Sequence, residues 1–374
     1  MKLLEIFNCS IKKDCGFTDL FLELAAQCQA DNIKLDFVVP AASQEVIVGK
    51  LRSNNAGVFV VPLPWDNNAA VKAMKKLVND LRPDAVNFHF CDSLNFAGLF
   101  LWLKFKGIKV IFHYHGEIRP IKELGFVNRH FSKLRFINFF TDKIICVSNA
   151  NRNFLKALHI NKPIDMVYNG LALDKYNFKN VERDLRKELG FSGRELVITF
   201  IGSLIHRKGI DVLLPAARMV VDQISDARFV IVGGQDQSLY LKMAEDLGIK
   251  DKVFFLGFIE DYPFFVLKDT NIYVSASRAE SFGLSIAEAQ LLGIPVIATA
   301  VGGVPEVVDN GKTGLLVPTE DSRTLAEAIL KVAKDHTLAE TFAKNGPIWI
   351  RKKFDIRDRV KEILKVCFEK SKRS

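Results

Sequence analysis

Two doubly wound α/β domains are the fold class that this sequence predicts. Short runs rich in β-branched residues alternate with longer amphipathic stretches, and the alternation is repeated in each half of the chain. The length of 374 residues is too great for one ordinary core and suits two. Because strands that alternate with helices form parallel sheets covered on both faces, we expect each half to build its own parallel sheet.

The individual elements follow in chain order. Strands are predicted at residues 3–7, 35–39, 58–61, 85–88, 110–113 and 144–147, and then at 197–201, 228–232, 253–256, 272–274, 296–298 and 315–317. Helices are predicted at 69–81, 211–224 and 322–333, and the apolar stretch 94–105 reads as a buried helix because a membrane span needs about 20 residues. The turn dipeptide Asn169-Gly170 separates an N-terminal domain, 1–170, from a C-terminal domain, 171–350. The final segment, 351–374, contains an amphipathic helix that we expect to rejoin the N-terminal domain.

Composition and charge narrow the class of protein. The 6 cysteines are scattered without a CxxC pair, which favours a reducing cytoplasm over a disulfide framework or a structural zinc. The first apolar run is too short for a signal peptide. Much of the net charge of +9 lies in residues 121–162 and 351–374, which suggests phosphates or anionic lipid headgroups as partners. A solvated surface explains the charge of the C-terminal segment equally well. We therefore expect a cytoplasmic protein, with peripheral binding to the inner face of the plasma membrane left open.

The loops after the strands indicate the ligand, because doubly wound sheets bind ligands at the carboxyl ends of their strands. The dinucleotide fingerprint GxGxxG and the P-loop pattern GxxxxGK[ST] are both absent, which argues against a dehydrogenase and a P-loop NTPase. Strand 197–201 is followed instead by G-S-L-I-H-R-K-G, residues 202–209. Gly202 allows close approach of the backbone to a ligand, and Arg207 and Lys208 can neutralise a diphosphate. Taken alone, this segment is more typical of an ordinary loop with exposed charges.

A second segment, E-S-F-G-L-S-I-A-E at residues 280–288, follows strand 272–274. Ser281 is a predicted N-cap for a helix over residues 285–292, whose first amide groups would bind an anion. From inside that helix Glu288 could accept hydrogen bonds from a ribose diol, and Glu280 would face whatever lies beyond the phosphates. Two glutamates eight residues apart are common by chance, so the assignment depends on the S-F-G-L between them.

Several further segments complete a pattern that resembles the retaining GT-B glycosyltransferases of glycosyltransferase family 4. They are V-Y-N-G at 167–170, L-G-F at 256–258, G-I-P-V-I-A-T at 293–299, G-G-V-P-E at 302–306 and G-K-T-G-L-L-V at 311–317. The resemblance covers most of the chain and is strongest from residue 167 to residue 318. It implies a GT-B fold, in which two Rossmann-like domains face a central cleft, with the acceptor side in the N-terminal domain and the nucleotide sugar bound by the C-terminal domain.

The resemblance also implies a role for each matching residue of the C-terminal domain. Glu288 corresponds to the glutamate that holds the ribose hydroxyls, Glu280 to the glutamate that meets the donor sugar, and Lys208 to the phosphate-binding lysine. The other implied donor-binding positions are Gly202, Ser281, the backbone amides of Phe282, Gly283 and Leu284, and Phe258 and Ile259 beside the nucleobase. One departure concerns phosphate binding: many members have arginine directly after Gly202, where this chain has Ser203, and Arg207 is the nearest substitute.

Two positions of the N-terminal domain match the family as well. His115 resembles the histidine that reaches over the donor sugar across the cleft, and alternation along an extended segment places His113 on the same side. Gly16 stands where the family has a glycine-rich loop beside the acceptor and the phosphates, although only one glycine remains here.

The expected function is therefore sugar transfer from a nucleoside-diphosphate sugar to a sugar or lipid-linked acceptor, in the synthesis of a cell-envelope polysaccharide or glycolipid. His115, Glu280 and Lys208 are the expected catalytic residues. Asp236 is isolated from any DxD motif, so we expect cations and a helix start to replace a metal, with no metal ion and no cofactor besides the donor. The family implies retention of anomeric configuration, and no nucleic-acid partner is expected.

The acceptor and two other functions stay open. Residues 126–143 interleave aromatic and basic residues, which suits a membrane interface, although a helix with phenylalanines in the core and cations in water explains the same pattern. A GT-B-like protein that binds nucleotide sugars without turnover is one alternative, favoured by Ser203 and the degenerate N-terminal loop. A nucleotide-sugar epimerase on the same architecture is the other.

Overall fold

The chain forms two compact units in a computed structural model that describes residues 1–8, 16–41, 43, 45–61, 68–90, 96–116, 137–179, 181–259 and 264–369. Unit 1 comprises Met1–Ala172 and Ile356–Ser374, and unit 2 comprises Leu173–Asp355. The divisions therefore fall at 172/173 and 355/356, whereas the sequence suggested 170/171 and 350/351.

Unit 1 contains one parallel sheet of seven strands in the order β3-β2-β1-β4-β5-β6-β7. The strands are β1 (Lys2–Phe7), β2 (Lys34–Pro40), β3 (Gly57–Val61), β4 (Ala85–His89), β5 (Lys109–Tyr114), β6 (Lys143–Cys146) and β7 (Ile164–Met166). The helices are α1 (Gly16–Ala30), α2 (Glu45–Ser53), α3 (Asn68–Leu81), α4 (Ala97–Phe105), α5 (Asn149–Ala157) and, from the C-terminal segment, a helix over Ile356–Phe368.

The strands of unit 1 are apolar on both faces because helices cover both sides of the sheet. Alternate residues of β1 enter different cores. Leu3 and Phe7 pack with α1, α2 and the C-terminal helix. Leu4 and Ile6 pack with α3, α4 and α5 on the other face. Glu5 interrupts the apolar residues of β1 with a carboxylate that has no solvent exposure, and β4 and β5 also carry buried polar side chains: Asn87, His89 and His113.

Unit 2 contains a second parallel sheet, of six strands in the order β10-β9-β8-β11-β12-β13. The strands are β8 (Leu196–Ile201), β9 (Ala227–Val232), β10 (Val253–Gly257), β11 (Ile272–Ser275), β12 (Val296–Thr299) and β13 (Gly314–Val317). The helices are α6 (Leu185–Glu188), α7 (Ile210–Gln223), α8 (Ser238–Asp246), α9 (Phe264–Lys268), α10 (Leu284–Leu291), α11 (Val304–Val307), α12 (Ser322–Lys334) and α13 (His336–Lys353), with 3-10 turns at Leu173–Lys175 and His206–Lys208.

The end of the chain is shared between the units. Residues 351–353 belong to α13 of unit 2, because the buried ring of Phe354 packs edge-on against Phe282, 5.1 Å away, and holds the end of that helix there. The next helix, α14 (Ile356–Phe368), belongs to unit 1, where Ile356 donates its amide hydrogen to the carbonyl of Leu171 at 3.1 Å. Lys109 donates to three main-chain carbonyls at the end of α14 (2.8, 3.0 and 2.8 Å), which suits a cation near a helix C-terminus.

Two features of the elements differ from the sequence prediction or extend it. Strand β7 was not predicted, since Ile164–Met166 has only three residues and shows no readable period. The apolar stretch around residue 100 forms α4, with Leu99, Phe100 and Leu103 buried. No helix among the described residues combines the length and the apolar character that crossing a membrane requires.

Candidate functional site

Each sheet has one place where neighbouring strands lead the chain to opposite sides, and a crevice forms there at the carboxyl ends of the strands. In unit 2 this place lies between β8 and β11, and in unit 1 between β1 and β4. The predicted donor-binding segment 202–209 is the loop that follows β8, and the predicted positions 280–284 lie on the loop that follows β11 and at the start of the next helix. The topology therefore brings these two segments together at one edge of the sheet.

Lys208 and Glu280 form an ion pair where the two loops meet. Their side chains are only 15% and 13% exposed, so water screens the pair little. The Ser277 hydroxyl donates to Oε1 of Glu280 at 3.1 Å. Arg207 donates from Nη1 to the carbonyl of Ala279 at 3.0 Å and lies 3.8 Å from Oε2 of Glu280. Two cations and one carboxylate thus share a largely buried site with a surplus positive charge.

Two glycines permit this close meeting of the loops. Gly209 has a left-handed backbone (φ 67°), and a Cβ there would lie 2.0 Å from the carbonyl oxygen of Ala276. Gly202 faces the lysine, because a Cβ there would lie 3.6 Å from Cε of Lys208. Ser203, where the family has arginine, is exposed at the start of the loop. It is Arg207, on the His206–Lys208 turn, that lies beside the Lys208–Glu280 pair.

Arg278 holds the two loops together, and nothing in the sequence pattern singled it out. Its guanidinium forms two hydrogen bonds with Asp211, at 2.8 and 2.7 Å, and a 2.9 Å bond to Glu320. It also donates to the carbonyl of His206 at 2.5 Å. These partners raise the pKa of Arg278 and lower that of Asp211, so both stay charged. A fork of donors at a fixed angle is what such bidentate binding requires.

The prediction that Ser281 caps the following helix is wrong. Helix α10 begins three residues later, at Leu284, and its N-cap is Gly283, whose φ of 98° is accessible mainly to glycine. The cause lies in the neighbouring loop: Gly303 donates its amide hydrogen to the carbonyl of Glu280 at 3.1 Å, and a Cβ on Gly303 would lie 2.3 Å from the Ser281 carbonyl oxygen. Residues 280–282 are therefore held outside the helix, and its first-turn amides start at Leu284.

Glu288 lies within α10 and is 5% exposed. Its Oε1 accepts a hydrogen bond from the Tyr176 hydroxyl at 3.0 Å. The Tyr176 ring in turn packs edge-on against Phe264, with ring centroids 5.7 Å apart. The hydroxyl orients the carboxylate, so Tyr176 is a positioning residue for Glu288 that the sequence analysis did not identify.

The two positions assigned to the nucleobase lie at the end of β10. Phe258 is 49% exposed, and its side chain lies in ordinary contact distance of the position that a Cβ on Gly234 would take. Ile259 packs partly against the small core beneath β8 and β9. The next residues, 260–263, lie outside the described part of the chain.

In unit 1 the strand register assembles four polar side chains on one face. Glu5 of β1 pairs with Asn87 of β4, and His89 of β4 pairs with His113 of β5. Asn87 and His89 are two residues apart and so share a face. His115 follows β5, and its ring lies 4.2 Å from that of His113, as alternation predicts.

Hydrogen bonds join these side chains in a chain. Nε2 of His89 lies 2.6 Å from Oε2 of Glu5, and Nδ1 of His89 lies 2.9 Å from Nε2 of His115. Asn87 donates from Nδ2 to both Glu5 oxygens, at 3.3 and 3.1 Å. Phe90, whose left-handed backbone (φ 55°) is rare for a large side chain, stacks on His115 at 4.6 Å.

Burial governs the charges of this cluster. It raises the pKa of Glu5 to about 8, against a smaller lowering by the Asn87 hydrogen bond, and it lowers the pKa of His89 to about 3. Burial also lowers the pKa values of His113 and His115 well below the ordinary range, and the neighbouring rings add to the effect. All three imidazoles are therefore neutral at pH 7.

A metal ion is another occupant that such a cluster suggests, since one nitrogen from each histidine lies within 4.8 Å of the others. Two observations favour hydrogen bonding instead. Both nitrogens of His89 already face Glu5 and His115. His113 and His115 stack with their planes 20° apart, and stacked rings direct their in-plane lone pairs side by side rather than towards a common point.

Comparison with known proteins matches both units to sugar-transfer families. The family described as "Glycosyl transferases group 1" matches residues 181–349, and the one described as "Glycosyltransferase Family 4" matches residues 16–175. Together they span most of the chain. The chain belongs to the GT-B glycosyltransferases.

Individual proteins resemble the chain at moderate or low sequence identity, and some of them over only part of its length. N-acetyl-alpha-D-glucosaminyl L-malate synthase of Bacillus anthracis is 32% identical over 233 residues, which is 62% of this chain and 60% of that protein. D-inositol 3-phosphate glycosyltransferase of Mycobacteroides abscessus is 36% identical over 197 residues, 50% of this chain and 43% of that protein. The chain thus spans roughly half the length of these relatives. The crystal structure of Anabaena HepE with UDP and glucose has a TM-score of 0.80 at 21% identity, covering 98% of this chain and 99% of that one.

Within this GT-B glycosyltransferase, the structure brings some predicted residues together, leaves others beside segments outside the described chain, and adds residues that the sequence did not predict. Four predicted residues come together at one edge of the sheet: Gly202, Arg207, Lys208 and Glu280. The loop that carries Glu280 leads directly into α10. Gly16 opens α1, but the loop before it, residues 9–15, lies outside the described chain, as do residues 126–136 of the aromatic and basic segment. The sequence analysis did not identify Tyr176, Ser277, Arg278, Glu5 and His89. Only the strand register, which no motif expresses, could have pointed to the last two.

Proposed function

We propose that this glycosyltransferase moves a sugar from a nucleoside-diphosphate sugar, held by unit 2, to a hydroxyl acceptor. The observation that carries the proposal is the Lys208–Glu280 pair beside Arg207, at the strand edge where GT-B proteins are expected to bind phosphate. A surface ion pair would be more exposed and would lack the adjacent second cation and helix start.

The arrangement suits the charge that develops in the reaction. When the bond between sugar and phosphate breaks, the leaving diphosphate gains negative charge. Lys208, Arg207 and the first-turn amides of α10 are held in place before that charge appears, and such preorganised groups stabilise a transition state more than mobile water can. We propose that they supply this stabilisation without a metal ion.

Glu280 changes partner in this proposal. A phosphate oxygen at Nζ of Lys208 replaces the carboxylate as the partner of the lysine, and Glu280 is then available to a hydroxyl of the sugar. The Ser277 hydroxyl, 3.1 Å from Oε1, keeps the carboxylate oriented during the exchange. Glu288, oriented by Tyr176, binds the ribose diol. His115 is proposed to contact the transferred sugar, and retention of configuration is proposed from the resemblance to family 4.

A panel of UDP-, GDP- and ADP-sugars tests the function. UDP-sugars come first, because HepE was crystallised with UDP and glucose. Donor hydrolysis or transfer supports a transferase, an isomerised donor supports an epimerase, and a thermal shift without turnover supports a binding protein. The anomer of the product, read by proton NMR, tests retention, and unchanged turnover after EDTA treatment tests metal independence.

Lys208→Ala tests the site. We expect kcat to fall by about 10²–10³, as when a preorganised charge-stabilising donor is removed, with a smaller change in KM. Lys242→Ala is the matched control, since it removes another lysine–carboxylate pair of unit 2 (Lys242–Asp246, 3.4 Å) that is 75% exposed on the lysine side. Equal kcat in the two variants would contradict the phosphate assignment.

The acceptor is proposed to be a sugar or a lipid-linked glycan of the cell envelope, reached at the inner face of the membrane. Support comes from the aromatic and basic composition of residues 126–143, of which the described part includes Phe139, 70% exposed. Co-sedimentation with vesicles tests it. Binding only to vesicles with anionic lipid supports peripheral association, and no binding with or without anionic lipid removes the membrane from the proposal.

A further inference from the structure

We propose that Glu5, His89 and His115 form a buried proton relay, in which a proton taken up at Nδ1 of His115 is balanced by neutralisation of Glu5. His115 can then carry either a lone pair or a proton at Nδ1, a nitrogen that is buried in the described structure, and its ring never becomes an imidazolium. The relay deepens the proposed function, because it rests on His115 as the group that contacts the transferred sugar. Glu5 and His89 are positioning residues in it.

The geometry supports a continuous path for protons. The contact between Nδ1 of His89 and Nε2 of His115 is 2.9 Å, and it accounts for most of the 5.2 Å between the two ring centroids. The ring planes differ by only 20°, so the N–H and the lone pair lie near both planes, as a strong hydrogen bond requires. At the other end, Nε2 of His89 meets Oε2 of Glu5 at 2.6 Å.

The protons balance in two forms of the chain. In the first form Glu5 is ionised and accepts from the Nε2–H of His89, while Nδ1 of His89 accepts from the Nε2–H of His115, whose Nδ1 carries a lone pair. A proton that binds at this Nδ1 lets His115 pass its Nε2 proton to Nδ1 of His89, and His89 passes its own Nε2 proton to Glu5. The second form has a neutral Glu5 carboxyl that donates to His89, and His115 carries its proton on Nδ1. One proton enters, both imidazoles stay neutral, and the net charge changes from −1 to 0 at Glu5.

The surroundings make Glu5 the site that accepts the charge change. Burial raises the pKa of Glu5 to about 8 and lowers the pKa values of both relay histidines, so protonating the carboxylate is favoured over forming a buried imidazolium. Among the residues that the structure describes, the titratable groups besides the histidines that interact with Glu5 are Cys28 of α1 and Cys367 of α14. Burial raises the pKa of Cys28 to about 12 and that of Cys367 well above its ordinary value, so both thiols stay neutral.

The remaining neighbours do not interrupt the path. Phe7 stacks on His89 at 4.4 Å and Phe21 lies edge-on at 6.0 Å, so apolar rings flank the middle of the relay. Asn87 donates to both Glu5 oxygens and stays neutral at all pH values. Its Nδ2 also lies 3.0 Å from Nε2 of His89, to which it can donate only in the form where that nitrogen carries no proton. His113 stacks on His115 and lies tilted against His89, without a hydrogen bond to either in the described structure, and its Nδ1 has no hydrogen-bond partner there.

Nitrogen-15 NMR of the histidine rings tests the relay without any substrate, because the shifts of Nδ1 and Nε2 distinguish the two tautomers from the imidazolium. With 7 histidines, assignment by single His→Gln variants is practicable. In the wild-type protein we expect His89 and His115 to change tautomer together around pH 8, and neither to show an imidazolium signal. His206, whose side chain is 80% exposed in unit 2, is the internal control for a histidine outside the relay.

Glu5→Gln is the decisive variant, since it keeps the shape of the side chain and cannot ionise. We expect the tautomers of His89 and His115 to become independent of pH between about 6 and 9.5, and any ionisation near pH 8 in the profile of kcat/KM to disappear. A wild-type protein whose two histidines keep one tautomer throughout this range would overturn the relay, and so would an unchanged titration in Glu5→Gln. The wild-type measurement stands even if the variant does not fold.

The outcomes also separate this relay from the proposed function. If no donor is turned over but the tautomers titrate together, the relay stands and the transferase assignment fails. If transfer occurs and the tautomers do not change, the relay fails alone. If the wild-type protein binds one equivalent of zinc and the His113→Gln variant binds none, the cluster is a metal site and the relay is overturned.

Discussion

Arg278 offers a test of how the two loops of the proposed donor site are held together. Its side chain is 18% exposed and makes charge-assisted bonds to Asp211, which is 32% exposed, and to Glu320, which is 56% exposed. Removing one partner of a fully buried pair costs about 3–5 kcal/mol, and exposed pairs are worth up to about 1 kcal/mol. The exposure of these side chains lies between that of a fully buried pair and that of an exposed pair. We therefore expect Arg278→Ala to lower the free energy of unfolding of unit 2 by about 2–3 kcal/mol. At roughly 2–4 °C per kcal/mol for a unit of this size, the midpoint of thermal unfolding should fall by roughly 5–10 °C.

Urea unfolding and calorimetry measure this effect, with Arg323→Ala as the control. Arg323 pairs with Glu327 at 3.0 Å, but the side chains are 82% and 61% exposed, so its removal should cost no more than about 0.5 kcal/mol. The pKa of Asp211 is lowered by Arg278, so the stabilisation is complete above the ordinary pKa of about 4 and is lost as the pH falls below it. The gap between wild type and Arg278→Ala should therefore narrow between about pH 5 and pH 3. Similar losses in both variants, or a gap that does not change with pH, would refute the anchor.

Three further outcomes follow from the same contacts. Glu288→Ala should raise the donor KM more than it lowers kcat, because its proposed ribose contact is the same in the ground and transition states; Tyr176→Phe should act in the same direction by a smaller factor, as measured by steady-state kinetics. Gly209→Ala should destabilise unit 2 by more than 1 kcal/mol in urea unfolding, because its φ of 67° disfavours alanine and the new Cβ would collide with the main chain at Ala276. Glu5→Gln should make unit 1 more stable than wild type at pH 8–9 but not at about pH 4. The raised pKa means that the folded wild-type protein holds a proton that the unfolded chain releases, so wild-type stability falls as the pH rises from about 4 to about 8.

The sequence predicted the two sheets well because parallel strands buried on both faces are continuous apolar runs. Each of the twelve predicted strands overlaps an observed one. The one omission, β7, lies at the edge of its sheet and is three residues long, so it shows neither a run nor an alternation. Its place is set by pairing with β6, which local pattern cannot reveal.

The helix start at α10 shows where local rules fail. Serine is a good N-cap by propensity, and Ser281 precedes an apolar run, so the choice was reasonable. The loop at Gly303 overrides that preference through a main-chain hydrogen bond to Glu280 and close contact with Ser281. Gly283 takes the cap position because its left-handed backbone is needed there. Such contacts between distant segments are invisible in a window of sequence.

Contacts between residues far apart in the sequence also explain why the motifs identified only some residues of each site. Lys208, Glu280 and Glu288 stand in recognisable strings, whereas the residues that orient them, Arg278 and Tyr176, contact partners 67 and 112 residues away. Positioning residues act through geometry, and many side chains can fill such a role. A motif therefore records the groups that meet the ligand better than those that hold them.

The two units share the same arrangement of strands around the switch point, but they place their charged groups differently. At the switch point of unit 2, the functional groups stand on loops beyond the strands, where glycines admit main-chain contact and the charged pair keeps 15% and 13% exposure. At the switch point of unit 1, they stand on the strands themselves, and a carboxylate with no exposure lies among neutral rings. Charge at the loop edge keeps some exposure, which suits the proposed binding of a diphosphate there. Charge inside the sheet can only be moved, so a group placed there is suited to storing a proton for a neighbour nearer the surface. The position of a residue relative to the strand end thus decides whether it can bind an ion or can only adjust the protonation of another side chain.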